Sequence, residues 1–268
     1  MVCAGDNKGW VKTMTDKPAD PEGPLHDQHQ ATPLDSEMLA IISHELRTPL
    51  AAIKGYASTL KRHSQRLGRG EREEFLQAID DASSRLDVLI SRLLEWSQLE
   101  SGMLQFHLVP VDMRHLVIEA IVAAEQRLLP QTAEAGKDTF VPPTEEDLPP
   151  VMADLRLQRE ALDIVLENAA KFSPEGGIIA VTLHVDGDML VTRVQDSGVG
   201  IPAEHLQCIF QGFRPVHTQP TRNVAGIGLE LGIAKRIVER QDGTMWAESE
   251  PGVGSVFSMA LPLVHPTE

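Results

Sequence analysis

The stretch Leu39-Ala40-Ile41-Ile42-Ser43-His44-Glu45-Leu46-Arg47-Thr48-Pro49-Leu50 sets one histidine between a carboxylate and a cation, in a segment with helical apolar spacing. Leu39, Ile42, Leu46, Leu50, Ile53, Ala57 and Leu60 recur at three- and four-residue steps, which marks one buried stripe on a helix over about 34–66. His44, two residues past Ile42, projects off that stripe. An exposed imidazole with a neutral nitrogen can attack phosphorus, and Glu45 is placed to polarise the ring N–H or to take the proton. Taken alone, the octapeptide fits an ordinary surface histidine with Glu45 and Arg47 as solvated neighbours better than it fits a reactant. Pro49 removes a backbone donor, so a bend is expected one turn past His44.

Gly68 and Gly70 interrupt the chain, and a second helix is expected over about 71–100. Its apolar positions Phe75, Ile79, Ala82, Leu86, Leu89, Leu93 and Trp96 step by four and three, a heptad seam. Two helices striped in this way form a hairpin that cannot hide both apolar faces alone. Dimerisation into a four-helix bundle covers them, and so would packing against the rest of the chain.

Residues 1–33 are polar and show no helical or strand period, so they read as a flexible lead-in, with His26 and His29 as tail residues. From Ser101-Gly102 the pattern changes. A strand is expected over about 104–109, a helix over 112–129, and weak strands around 138–142 and 151–152. Strands and helices mix thereafter, as in an α+β fold with helices on one face of a sheet.

Asp154 is a plausible N-cap for a helix carrying Leu155, Leu162, Val165, Leu166 and Ala169 inward and ending near Phe172-Ser173-Pro174. Asn168, Lys171 and Phe172 share one face at i, i+3 and i+4. An amide oxygen, an ammonium and a flat ring suit a metal ion, a phosphate and a base. Two strands follow, about 178–185 and 189–194, turning at Asp186-Gly187. The second runs into Asp196-Ser197-Gly198-Val199-Gly200, where a carboxylate at a strand end can accept amino protons while Gly198 and Gly200 let the backbone approach a ligand. Gly226-Ile227-Gly228-Leu229 then opens a helix, and main-chain N–H groups at such an N-terminus attract anions. The closing strands, about 244–248 and 255–261, read as a purely structural hairpin.

The octapeptide resembles the H-box of sensor histidine kinases, and the downstream motifs resemble their N-, G1-, F- (Ile209-Phe210-Gln211-Gly212-Phe213) and G2-boxes in the family's order, over about 34–262. The resemblance implies a dimerisation and histidine phosphotransfer domain over 34–101 and a Bergerat-type α/β sandwich ATP-binding domain over 102–265. It implies His44 as phosphoacceptor, Glu45 as its activator and Thr48 as a residue orienting water in dephosphorylation of the partner. Asn168 would be the Mg²⁺ ligand, Lys171 a phosphate contact and Asp196 the adenine reader. Phe172, Gly198, Gly200, Gly226, Gly228 and Leu229 would complete the nucleotide site, and residues 214–225 would form a lid. The implied cofactors are ATP and Mg²⁺, and the implied partners are a second copy and a response regulator receiver domain. A dimeric scaffold or phosphoacceptor for another kinase is the alternative.

Three positions depart from the family pattern. Ile164 stands where a second asparagine is usual, Gly212 replaces the F-box arginine, and Glu230 replaces a glycine of the G2-box. Glu230 matters most, because a carboxylate near phosphate oxygens repels them.

The formal charge of −15 disfavours nucleic acid or an anionic membrane as main partner. Cys3 and Cys208 are far apart and lack metal-ligand spacing, so a reducing, cytoplasmic setting is expected. No apolar run is long enough to span a bilayer, and the first residues lack the apolar core of a signal peptide.

Overall fold

In the computed structural model, residues 11–12, 36–63, 65–128, 139–173, 176–212 and 228–264 are described. Two long helices come first, α1 (Ser36–His63) and α2 (Arg69–Glu100), packed against each other as a hairpin. Gly68 N-caps α2, and its N–H donates to Glu71 Oε2 at 2.8 Å, so the expected interruption at Gly68 is a helix start. Gly70 lies inside the first turn rather than breaking the chain. Tyr56 and Phe75 stack across the hairpin with ring centroids 5.5 Å apart.

The α2 seam lies inward: Ala82 is buried, and Phe75, Ile79, Leu86, Leu89, Leu93 and Trp96 are half-buried. The α1 stripe differs from expectation. Ile42, Leu46, Ile53 and Leu60 are half-buried, but Leu39, Leu50 and Ala57 face solvent, and Met38, Ile41 and Pro49 take the inward places. The apolar residues of α1 make two adjacent rows, and only one meets α2. The helix also continues through Pro49, because the loss of one N–H donor is offset by burial of the ring inside the hairpin.

The remainder builds on a sheet ordered β1-β7-β8-β6-β5-β3. Its strands are β1 (Val11–Lys12), β3 (Thr139–Val141), β5 (Ile178–Asp186), β6 (Met189–Gln195), β7 (Thr244–Glu250) and β8 (Gly254–Pro262). β3 and β5 are parallel and the other neighbours antiparallel. Val11–Lys12, within the segment read as a lead-in, adds a short rung to the edge of β7. A second pair, β2 (Val109–Val111) with β4 (Val151–Ala153), joins the main sheet through a Val151 to Leu263 bridge. The first expected strand thus forms five residues late, and the β5–β6 turn is Gly187-Asp188, with Gly187 at φ +60°.

The helices α3 (Met113–Leu128), α4 (Leu155–Lys171) and α6 (Glu230–Glu239) pack over this sheet, and α5 (Ala203–Leu206) is a single turn. Leu162, Val165, Leu166 and Ala169 of α4 share one core with Ile233 and Ile237 of α6, Ile179, Val181 and Leu183 of β5, and Phe257 and Met259 of β8. Fully burying such a side chain contributes roughly 1.5–3 kcal/mol. Asp154 caps α4 as expected, its Oδ1 accepting from Leu157 N at 3.0 Å. Its Oδ2 accepts from His107 N at 2.9 Å, and these bonds hold the carboxyl below its usual range against the opposing effect of burial. Leu155, expected inward, is exposed, and Leu157 occupies the core position instead.

Candidate functional site

His44 sits on the exposed side of α1, its side chain 76% accessible. Its Nδ1 lies 3.1 Å from Glu45 Oε1. In the neutral imidazole this pairing holds the proton on Nδ1 and leaves the Nε2 lone pair facing solvent, the arrangement a nucleophile needs. One turn on, Thr48 Oγ1 donates to the His44 carbonyl at 3.2 Å, so its hydroxyl is turned back onto the helix.

The second group of residues converges at the C-terminal end of α4. Asn168 is half-buried, and its Nδ2 donates to Ile164 O at 2.9 Å. That bond uses the amide N–H and leaves Oδ1 as the acceptor a cation ligand would need. Lys171 is exposed, with Nζ 5.6 Å from the Phe172 ring centroid. The Phe172 carbonyl accepts from Val199 N at 3.1 Å, and it stands where a side chain at Gly198 would collide with it. The loop after β6 is thereby fastened to the end of α4. Gly200 adopts φ +68° with Glu250 O on its open side, so glycine is required there twice over.

Asp196 is only 4% accessible. Gly198 N and Ser255 N both donate to its Oδ1, at 2.9 and 3.1 Å. Burial pushes the carboxyl above its ordinary value, and the two N–H donors counter part of that rise. Both bonds go to one oxygen, which fixes the carboxyl plane and leaves Oδ2 to receive a donor from outside. The closing β7–β8 hairpin therefore does more than complete the sheet, since Ser255 supports Asp196. Sequence reading missed this role because Ser255 belongs to no motif.

Gly228, at φ +66°, and Leu229 lead into α6. The Leu229 side chain is fully buried, so only its main chain can face a ligand. Gly226, Phe213 and the expected lid over 214–225 lie outside the described residues. Glu230 is the first residue of α6, where the helix dipole favours a negative charge. Ile164 is buried in the core rather than open to the cleft. Gly212 adopts φ +70°, and the space a side chain would need is bounded by Leu229 and Trp96. An arginine at 212 would be strained in this backbone conformation.

The structure thus brings Asn168, Phe172, Gly198 and Asp196 together through direct contacts, while Gly200 packs against Glu250. His44, Glu45 and Thr48 form a separate cluster on α1. Among the described residues no group of three or more His, Cys, Asp or Glu side chains is arranged to hold a metal, and no helix is long and apolar enough to cross a membrane.

Comparison with known proteins recognises two regions of the chain. Residues 34–102 match the His Kinase A (phospho-acceptor) domain, and residues 153–265 match the histidine kinase-, DNA gyrase B- and HSP90-like ATPase family. Sensor histidine kinase RcsC of Escherichia coli strain K12 is 36% identical over 238 residues, 87% of this chain and 24% of that protein. Alginate biosynthesis sensor protein KinB of Pseudomonas aeruginosa is 33% identical over 85% of this chain and 37% of its own length. The chain therefore spans between about a quarter and two-fifths of these relatives. Among solved structures, full-length ShkA in complex with AMPPNP aligns with TM-score 0.61 and 26% identity, over 87% of this chain and 47% of that one. Histidine kinase ThkA, crystallised with response regulator protein TrrA, shares the fold at TM-score 0.68 and 24% identity, over 86% of this chain and 62% of that one. With a phosphoacceptor-type hairpin and a histidine kinase-type ATPase domain on one polypeptide, this chain belongs to the sensor histidine kinase family.

Proposed function

We propose that this chain autophosphorylates on His44 with ATP bound between the end of α4, the loop after β6 and the start of α6, and then passes the phosphoryl group to an aspartate of a response regulator receiver domain. The observation that carries the proposal is the His44–Glu45 pair, which leaves Nε2 exposed on the same polypeptide as the ATPase fold. Glu45 holds the imidazole proton on Nδ1 and stabilises the charge that appears on the ring as Nε2 bonds to phosphorus. Asp196 Oδ2 accepts from the adenine amino group, Gly198 and Gly200 flank the base, and Lys171 and the N-terminus of α6 attract the phosphates. Mg²⁺ would be held by Asn168 Oδ1 together with phosphate oxygens, and it would supply charge neutralisation.

The unit that works is a homodimer in a cytoplasmic setting. Leu39 and Leu50 on α1 and Leu76, Ile90 and Leu94 on α2 are large apolar side chains left exposed by the single hairpin, and a second hairpin would cover them. Thr48 orients the water that dephosphorylates the regulator, once its hydroxyl leaves the His44 carbonyl. The functional boundaries follow as 34–101 for the hairpin and 102–265 for the ATP domain.

The alternative is a dimeric scaffold or phosphoacceptor served by another kinase. The observations favouring it are the buried Ile164 and a carboxylate, Glu230, already in place at the helix end that would attract phosphates. Incubating the chain with γ-labelled ATP separates the two: acid-labile label on this chain without a partner kinase supports autophosphorylation, and label only when a partner kinase is added supports the scaffold.

A further inference from the structure

The loop after β6, residues 196–202, is laid across the end of the β7–β8 hairpin mainly by main-chain bonds. Asp196 N donates to Ser255 O at 2.9 Å, Gly252 N donates to Val199 O at 2.8 Å, and Ser255 N returns to Asp196 Oδ1 at 3.1 Å. Among the described residues one side chain of the hairpin joins them, that of Ser249. Its Oγ accepts from Ile201 N at 2.7 Å, donates to Gly254 O at 2.8 Å and stands 3.0 Å from Ser255 Oγ. With its own proton on Gly254 O, it receives the proton of the Ser255 hydroxyl, so its one donor and two acceptor positions are all used. Ser249, Ser255 and Asp196 are all buried, and a bond lost here leaves its partner unsatisfied.

Alternation along the strands puts these groups on the side of the sheet that the helices cover. Met245 and Ala247 of β7, Phe257 and Met259 of β8 and Val194 of β6 belong to the core. Ser249, Ser255 and Asp196 continue those three rows by two-residue steps, so they share one face. The loop that carries Asp196 is fastened on that face to the end of α4 through Val199 N and Phe172 O.

We infer that Ser249 is a positioning residue for recognition of the purine amino group, fixing the direction in which Asp196 presents Oδ2. It holds the loop at both ends: Ile201 directly, and Asp196 by way of Gly254 and Ser255. Gly254 is pressed so closely on the Asp196 carbonyl that a side chain there would collide with it. A shift of Gly254 therefore moves Asp196 and Ser255 N together. With Oδ1 taken by the N–H groups of Gly198 and Ser255, the site offers Oδ2 as an acceptor and selects an amino group over a carbonyl at that edge of the base. Turning the carboxyl costs this selection first, because the phosphates are attracted by other residues. The inference deepens the proposed role of Asp196 as adenine reader and rests on it.

The test compares ADP with inosine diphosphate, IDP, in which a carbonyl replaces the amino group. Neither carries a γ-phosphoryl group, so no transfer to His44 intervenes. Titration calorimetry with Mg²⁺ on the full chain should give the parent a preference for ADP of about tenfold or more. Asp196→Asn should erase it. Ser249→Ala should cut the preference by about fivefold, weakening ADP while leaving IDP within about twofold of the parent. A parent without the preference, or an Asp196→Asn protein that keeps it, would overturn the reading of Asp196 and this inference with it. If Asp196→Asn erases the preference but Ser249→Ala weakens both nucleotides alike, or neither, the role of Ser249 alone falls, since a serine that only supports the fold does not tell the two bases apart. Hydrogen exchange on the parent supplies a second measurement that needs no variant to fold. At equal saturation ADP should slow exchange of the Ile201 amide several-fold more than IDP does, because binding and the Ile201 to Ser249 bond are coupled in both directions. Equal slowing by the two nucleotides would contradict the positioning role.

Discussion

The indole of Trp96 on α2 stands where a side chain at Gly232 on α6 would have to be, its Cζ3 2.6 Å from the place a Cβ would take. On its other side Trp96 Cη2 is 3.3 Å from the corresponding point at Gly212, and the Arg236 guanidinium lies 6.0 Å from the ring centroid. Two glycines of the sheet domain thus make a slot for one aromatic residue of the hairpin. Gly232→Ala should push the indole out and weaken docking by about 1–3 kcal/mol, the usual range for overpacking. Calorimetric unfolding in the parent and in a Trp96→Leu background checks this, since the same alanine should cost much less where no ring fills the slot.

Thr48→Ala should slow dephosphorylation of the response regulator several-fold and leave autophosphorylation nearly intact. The Thr48 hydroxyl bonds the His44 carbonyl in this structure, so a supporting role for the helix is the competing account. Timed decay of the phosphorylated regulator, beside label uptake by the kinase, decides it. Equal loss in both assays would assign Thr48 to the helix.

Glu230→Gly should tighten Mg-ATP binding, with an advantage that shrinks as salt is raised because the repulsion is screened. The variant also loses a charge that the α6 dipole favours, typically 0.3–1 kcal/mol. Titration calorimetry at two ionic strengths measures the balance. Unchanged or weaker affinity would mean that the carboxylate faces away from the phosphates.

How much of this was legible in the sequence depends on how local the cause is. The two helices of the hairpin and α4 follow from apolar spacing and from caps a few residues away, such as Asp154 on Leu157. Leu39 and Leu50 were misplaced because α1 has two apolar rows and periodicity alone does not say which one meets α2. Trp96 fitted the heptad so well that its second contact, in a slot formed by glycines far along the chain, left no sequence signal. The same holds for Ser255 under Asp196 and Glu160 against Arg92, pairings that only the tertiary fold creates.

The central claim is that His44 takes the phosphoryl group from ATP bound by the same protein. Label from γ-labelled ATP, scored as acid-labile and base-stable, should accumulate on the parent chain and be absent from His44→Gln, while nucleotide binding by calorimetry stays the same in both. Acid-labile label of equal extent on His44→Gln would place the acceptor elsewhere and contradict the mechanism.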